Sequence, residues 1–259
     1  MSSLPFSARL PRRLRAGEEA TLVQHLDELR SRLIVSLVAI GIGTITAFVL
    51  NHRVLQWLSG PLPEERRGLL TLGIAEPFLT TFKVSLWVGL AVALPIVLWQ
   101  TWSFFAPALD SRSQRAIAGF AVFASALLAC GIGFGYYVVL PKALSFLTHY
   151  NDDVFNIQVR ASDYYSFVLL VLAGVAVVFE LPVFVLALVR LRIVSSAQLR
   201  RTRRIGYFLV AVVGVALPGI DPVTTALETI PLLVLYEGSI WLSTLLERRW
   251  IDLTTESAG

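Results

Sequence analysis

The chain has 259 residues, 56% of them hydrophobic and only 15% charged, where soluble domains carry roughly a quarter. This composition marks a membrane protein rather than a soluble domain, and the net charge of +4 matters less than where the basic residues stand beside the apolar runs. His25, His52 and His149 lie far apart and in no metal-ligand spacing, and no Gly-rich phosphate loop is present, so no metal, cofactor or enzyme activity is expected.

The N-terminal segment, residues 1–32, is basic but has no apolar stretch before Leu33, so a cleaved signal peptide is not expected and the first apolar run should stay as an anchor. At its end lies VQHLDELRSRL, Val23 to Leu33, which crowds His25, Asp27, Glu28, Arg30 and Arg32 before that run. Leu22, Leu26, Leu29 and Leu33 fall at helical spacing, which predicts an amphipathic helix over residues 21–33 with Glu28 and Arg32 paired at i,i+4 on its polar side. On pattern alone this helix reads as a solvated entrance to the membrane.

Six runs are candidates to span a bilayer: Leu33 to Leu50, Val84 to Leu109, Ala116 to Pro141, Tyr164 to Val189 interrupted only by Glu180, Ile205 to Ile220, and Pro222 to Leu246. Cys130 lies inside the third and reads as a small core residue. The last two are short. About 16 apolar residues cover about 24 Å of a core about 30 Å thick, so the bilayer beside them is expected to thin. Lys and Arg number 16 on the side holding both termini and 6 on the other, which predicts cytoplasmic termini. Residues 51–83 and 142–163 are expected to form an extracytoplasmic cap. The fold class is therefore all-α: one polytopic bundle, residues 1–259, with a cytoplasmic amphipathic segment (1–32), a six-helix bundle (33–246) and a cytoplasmic tail (247–259).

Glu180, in VAVVFELPVFVLAL, sits deep in the fourth run, where a carboxylate costs on the order of 2.5–3.5 kcal/mol. It reads either as a protonated, hydrogen-bonded group in a helix contact or as part of a functional polar cavity, which a kink at Pro182 would widen. Glu237, in VLYEGSIWL, reads either as an interfacial carboxylate flanked by Tyr236 and Trp241 or as functional. The basic loop from Arg190 to Arg204 reads as a topology determinant and a site for anionic lipid head groups.

The stretch His25-Leu26-x-Glu28-Leu29-Arg30-x-Arg32 also resembles the HLxELRxR signature that opens TatC, the polytopic subunit of the twin-arginine protein translocase. SGPLP around Pro61, EPFLTTFKVSLWVGLAVALPIVLWQTWSFFAPAL from Glu76, GFGYYVVLPKALSFL from Gly133, FELPVFVLAL around Glu180 and DPVTTALETIPLLVLYEGSI from Asp221 resemble the same family in the same order. The resemblance implies a receptor in the bacterial inner membrane that binds twin-arginine signal peptides of folded cargo at its cytoplasmic face. It further implies TatA- and TatB-type single-span partners, contact with membrane lipids, homo-oligomers within a hetero-oligomeric complex, and transport driven by the proton-motive force, with no nucleic acid involved. It places signal recognition on Glu28 and Arg30 of the opening motif and on Phe104 and Pro107 at the end of the second span. Glu180 and Glu237 fall at buried polar or assembly positions, and Pro61 and Asp221 at functional loop positions. Carboxylates suit planar, bidentate arginine forks better than lysine. One position departs: where the family has a second glutamate after FxxPAL, this chain has Ser113, and Asp110 is the nearest acid. The competing class is an ion-coupled small-solute transporter with Glu180 as the coupling carboxylate, against which stands the lack of an internal repeat.

Overall fold

The computed structural model describes residues 22–66, 68–105, 114–190, 193–216 and 222–255, which are helical apart from loops and one isolated bridge. Helix α1 (Leu22–Val49) fuses the amphipathic entrance to the first span without a break. A short α2 (Asn51–Leu58) follows, and α3 (Glu76–Phe105) begins well before the uncharged run that marks it in the sequence. Pro77 suits the first turn of a helix, and Lys83, which ends the uncharged run, is absorbed by donating to Ser166 Oγ at 2.8 Å. Helix α4 (Gln114–Phe134) passes through one wide π turn, Gly135–Val139, into α5 (Leu140–His149). The wide turn makes room for Pro141, whose ring would clash with a regular helical carbonyl.

The fourth span is two helices, α6 (Ala161–Phe179) and α7 (Leu181–Arg190), broken at Glu180 just ahead of Pro182. A capping box between Ser195 and Gln198 starts the short α8 (Ser196–Arg201), which leads to α9 (Arg203–Ala216) and α10 (Pro222–Thr255). Five stretches among the described residues are long and apolar enough to cross a bilayer. The fifth expected span, α9, is not among them: its 14 residues cover about 21 Å. The sixth differs from its apolar length, because α10 continues to Thr255, its crossing segment being Pro222–Glu247. Glu237 is absorbed by partners on α9 and Glu228 is buried, so neither acid ends the helix.

Helices α1 and α3 meet through glycine. A Cβ on Gly43 would lie 2.7 Å from the Gly89 carbonyl oxygen, and one on Gly89 would lie 2.5 Å from Thr44 Cα. The larger apolar core lies under the cap, where Leu58, Leu62 and Val84 pack with Val139, Leu140, Tyr164 and Val168. A second joins Val178 to Val210, Leu232, Tyr236 and Ile240 across α6, α9 and α10. Cys130, expected in a core, is instead exposed, on a helix surface where a bilayer supplies apolar surroundings.

The loops between α2 and α3 and between α5 and α6 close on each other as a cap. Leu70 N–H donates to the Val159 carbonyl at 2.9 Å and Ala161 N–H to the Leu70 carbonyl at 2.8 Å, while Arg66 reaches the Ile157 carbonyl at 2.8 Å. Glu76 receives Arg160 Nε at 2.9 Å and Nη2 at 3.1 Å, together with the backbone N–H groups of Leu72, Gly73 and Ser162. These bonds to Glu76 and its charge push the Arg160 guanidinium above its usual value. Carbonyls in the last turn of α2 accept hydroxyl donors, Tyr165 to Leu55 at 3.2 Å, Tyr136 to Trp57 at 2.5 Å and Tyr164 to Leu58 at 2.8 Å, the first two beside backbone bonds from Ser59 and Gly60. Pro61 is half-buried in the turn that drops Leu62 into the core, so its fixed backbone shapes the cap.

Candidate functional site

At the opposite end of the bundle, the entrance of α1 lies against the end of α3. His25, Glu28 and Arg32 follow one another at i, i+3 and i+7, which places them on one helix face. The His25 ring stacks on Phe104 with centroids 4.4 Å apart, and Arg32 Nη1 donates to Gln100 Oε1 at 3.2 Å. Arg32 also donates twice to Glu28 Oε1, from Nε at 3.0 Å and from Nη2 at 2.5 Å. The Arg32 and Glu28 side chains keep 24% and 23% of their exposure, enough to meet a ligand yet held by the helix contact.

Leu26, Leu29 and Leu33 of the entrance's leucine stripe point outward, Leu26 being 63% exposed. A helix in water would bury that stripe. Here the polar face is turned to α3 and the apolar face away from the protein, an orientation suited to membrane surroundings. Arg30 is exposed and takes no hydrogen bond or ion pair among the described residues, so Glu28 and Phe104 are brought together while Arg30 stands apart. Pro107, Asp110, Ser113 and Asp221 lie outside the described residues.

Next to this site, an apolar groove of about 520 Å³ runs along α1 and α3, lined by Val35, Val38, Ile42, Val92 and Ile96 among others. Its wall residue Ile96 lies one helical turn from Gln100, and Val35 lies two turns from Glu28, so groove and carboxylate share one helix pair.

Glu180 occupies the break between α6 and α7. It is 7% exposed, and its Oε1 has no hydrogen-bond partner among the described residues. Of its two sequence readings, the one with a hydrogen-bonded carboxyl in a helix contact does not describe that oxygen. Glu237 is neither isolated nor simply interfacial. Arg203 Nη1 lies 3.0 Å from its Oε1 and the Tyr207 hydroxyl donates to Oε2 at 2.6 Å, so it links α10 to α9. Of its expected aromatic neighbours, Tyr236 is buried against Tyr207 and only Trp241 faces outward.

Sequence reasoning missed Gln100 and the clasp between Glu76 and Arg160. Gln100 had a signal, as a lone amide inside an uncharged run. The clasp joins positions 84 residues apart and had none.

The fold and this site define a class: a polytopic α-helical membrane protein with a part-buried polar recess between two spans at one end and a closed loop cap at the other. The family model for Sec-independent protein translocase protein (TatC) matches residues 24–231. A TatC of Carboxydothermus hydrogenoformans is 35% identical over 86% of this chain and 92% of its own length, and TatCd of Bacillus subtilis is 34% identical over 93% and 99%. The chloroplastic TATC of Arabidopsis thaliana is 34% identical over 93% of this chain and 72% of its own length. A crystal structure of the twin arginine translocase receptor TatC in DDM superposes with a TM-score of 0.74 at 34% identity, covering 85% of this chain and 99% of that one. The chain belongs to the TatC family.

Proposed function

We propose that this protein is a translocase subunit that binds the twin-arginine signal peptides of folded cargo, with Glu28 as an acceptor for one of the arginines. The observation that carries the reading is the packing of the opening motif on the end of α3, which turns two family-implied regions into one recess. A carboxylate that keeps about a quarter of its exposure is reachable, and charge-assisted bonds to a planar guanidinium are short and directional. The apolar groove along α1 and α3 suits the apolar segment that follows the basic part of a signal peptide. With the excess of basic residues marking the cytoplasmic side, the recess opens to the cytoplasm of a bacterial cell and the cap faces outward.

Bound cargo then requires a route across the membrane, which TatA- and TatB-type single-span partners provide by assembling around this subunit, powered by the proton-motive force. Glu180, with its orphaned buried oxygen, is the position on the bundle that a polar partner helix satisfies. Asp110 serves the second arginine in place of the family's glutamate, which here is Ser113. The relatives give no support to a solute transporter coupled through Glu180.

The test is binding of a labelled twin-arginine signal peptide to the purified protein in nanodiscs, compared with its twin-lysine version and repeated on Glu28→Ala. Arginine preference that disappears in the variant is the expected result. Undiminished preference in the variant overturns the assignment of Glu28.

A further inference from the structure

The Glu28 carboxylate is held asymmetrically. Two Arg32 nitrogens fork onto Oε1, and no donor among the described residues reaches Oε2. The remaining Arg32 nitrogen is tied to Gln100 on α3. An i,i+4 pair on a lone helix is weak and samples several rotamers. Here the second anchor, on a different helix, fixes the guanidinium plane and with it the plane of the carboxylate.

We propose that Arg32, anchored by Gln100, is a positioning residue for signal-peptide recognition, turning Glu28 so that Oε2 presents its open acceptor sites to an arginine of the peptide. This rests on Glu28 being the acceptor argued above. A carboxylate offers about four acceptor sites, two on each oxygen. Arg32 fills the pair on Oε1 with its own fork, leaving a matching pair on Oε2 with a set direction. A second arginine fork fits that pair, whereas a lysine ammonium, a rotatable point charge, gains little from the direction. Arg32 thus contributes specificity for arginine over lysine without itself touching the peptide.

Electrostatics alone gives the opposite sign. Arg32 is a cation beside an incoming cationic peptide, so deleting its charge should raise affinity. Arg32→Lys separates the two effects, because it keeps the charge and loses the fork. Gln100→Leu removes the anchor and leaves both charges in place, while Gln100→Glu keeps an acceptor for Nη1.

Peptide binding to the full chain in nanodiscs, measured with twin-arginine and twin-lysine peptides, provides the test. Arg32→Lys and Gln100→Leu are each expected to weaken twin-arginine binding about 5-fold, the scale set by the freedom of one long side chain, and to lower the arginine-to-lysine ratio to match. Gln100→Glu is expected to hold the wild-type ratio. If Glu28→Ala abolishes binding while Arg32→Lys and Gln100→Leu leave affinity and ratio unchanged or raise them, Arg32 is a bystander or a competitor and the proposal falls while the acceptor role stands. If Glu28→Ala itself has no effect, both fall.

Discussion

The closest approach of α1 and α3 yields a quantitative expectation. A methyl group on Gly89 would lie 2.5 Å from Thr44 Cα and from Thr44 Oγ1, whereas comfortable carbon contacts begin near 3.5 Å. Gly89→Ala therefore forces the two helices about 1 Å apart. Overpacking of this kind costs about 1–3 kcal/mol, and the helix-propensity gain of alanine over glycine, up to about 1 kcal/mol, offsets only part of it. Gly41 provides the control: a Cβ there meets nothing within 4 Å, so Gly41→Ala on the partner helix α1 carries the propensity change without the clash. Tryptophan-monitored thermal unfolding in one detergent is expected to show Gly89→Ala melting below wild type and Gly41→Ala at or above it. The displacement should also be felt at the far end of the helix pair, as weaker signal-peptide binding by Gly89→Ala. Equal melting temperatures for the two variants would refute the close contact and the rigid coupling of α1 to α3.

Three further outcomes follow from particular side chains. Glu180→Leu should leave thermal stability unchanged or raise it, because it removes a buried oxygen without a partner among the described residues, yet it should impair cargo export in a strain lacking the native subunit; a large loss of stability would make Glu180 structural. Tyr164→Phe strips the donor from the buried Leu58 carbonyl and should cost about 1–3 kcal/mol in denaturant unfolding, while peptide binding at the opposite end is unaffected. Ser113→Glu restores the family's acid and should tighten twin-arginine binding, measured by peptide titration, whereas unchanged affinity would mean that the second arginine is served elsewhere.

The first four spans, the sixth and the two loops that form the cap were legible because hydropathy is a one-dimensional signal, whereas the fifth run folds into a helix of only 14 residues. Helix ends were less so. The α3 start at Glu76 and the α10 end at Thr255 lie beyond charges that hydropathy counts as stops, and Lys83 and Glu237 are tolerated only through partners on other helices, Ser166 and Arg203. At the candidate site, Glu28 and Phe104 were found through the family signature, and the Glu28–Arg32 pair through its spacing. The link from Arg32 to Gln100 was not, since it joins residues 68 apart and depends on how α1 is rotated against α3. The outward leucine stripe shows why: helical periodicity locates an apolar face but does not say whether protein or lipid covers it.

The clasp between Glu76 and Arg160 also sets a schedule for biosynthesis. The carboxylate leaves the ribosome 84 residues ahead of the guanidinium that completes its shell, roughly 4–17 s earlier at 5–20 residues per second. Until then Leu70 lacks its pairing with Val159 and Ala161, and the α2 carbonyls lack two of their three tyrosine donors. The first cap loop thus emerges unfinished and is locked only when the second reaches it. A nascent chain stalled before Arg160 should remain cleavable between α2 and α3 by protease added from the outer side, and release of the arrest past α6 should close that window.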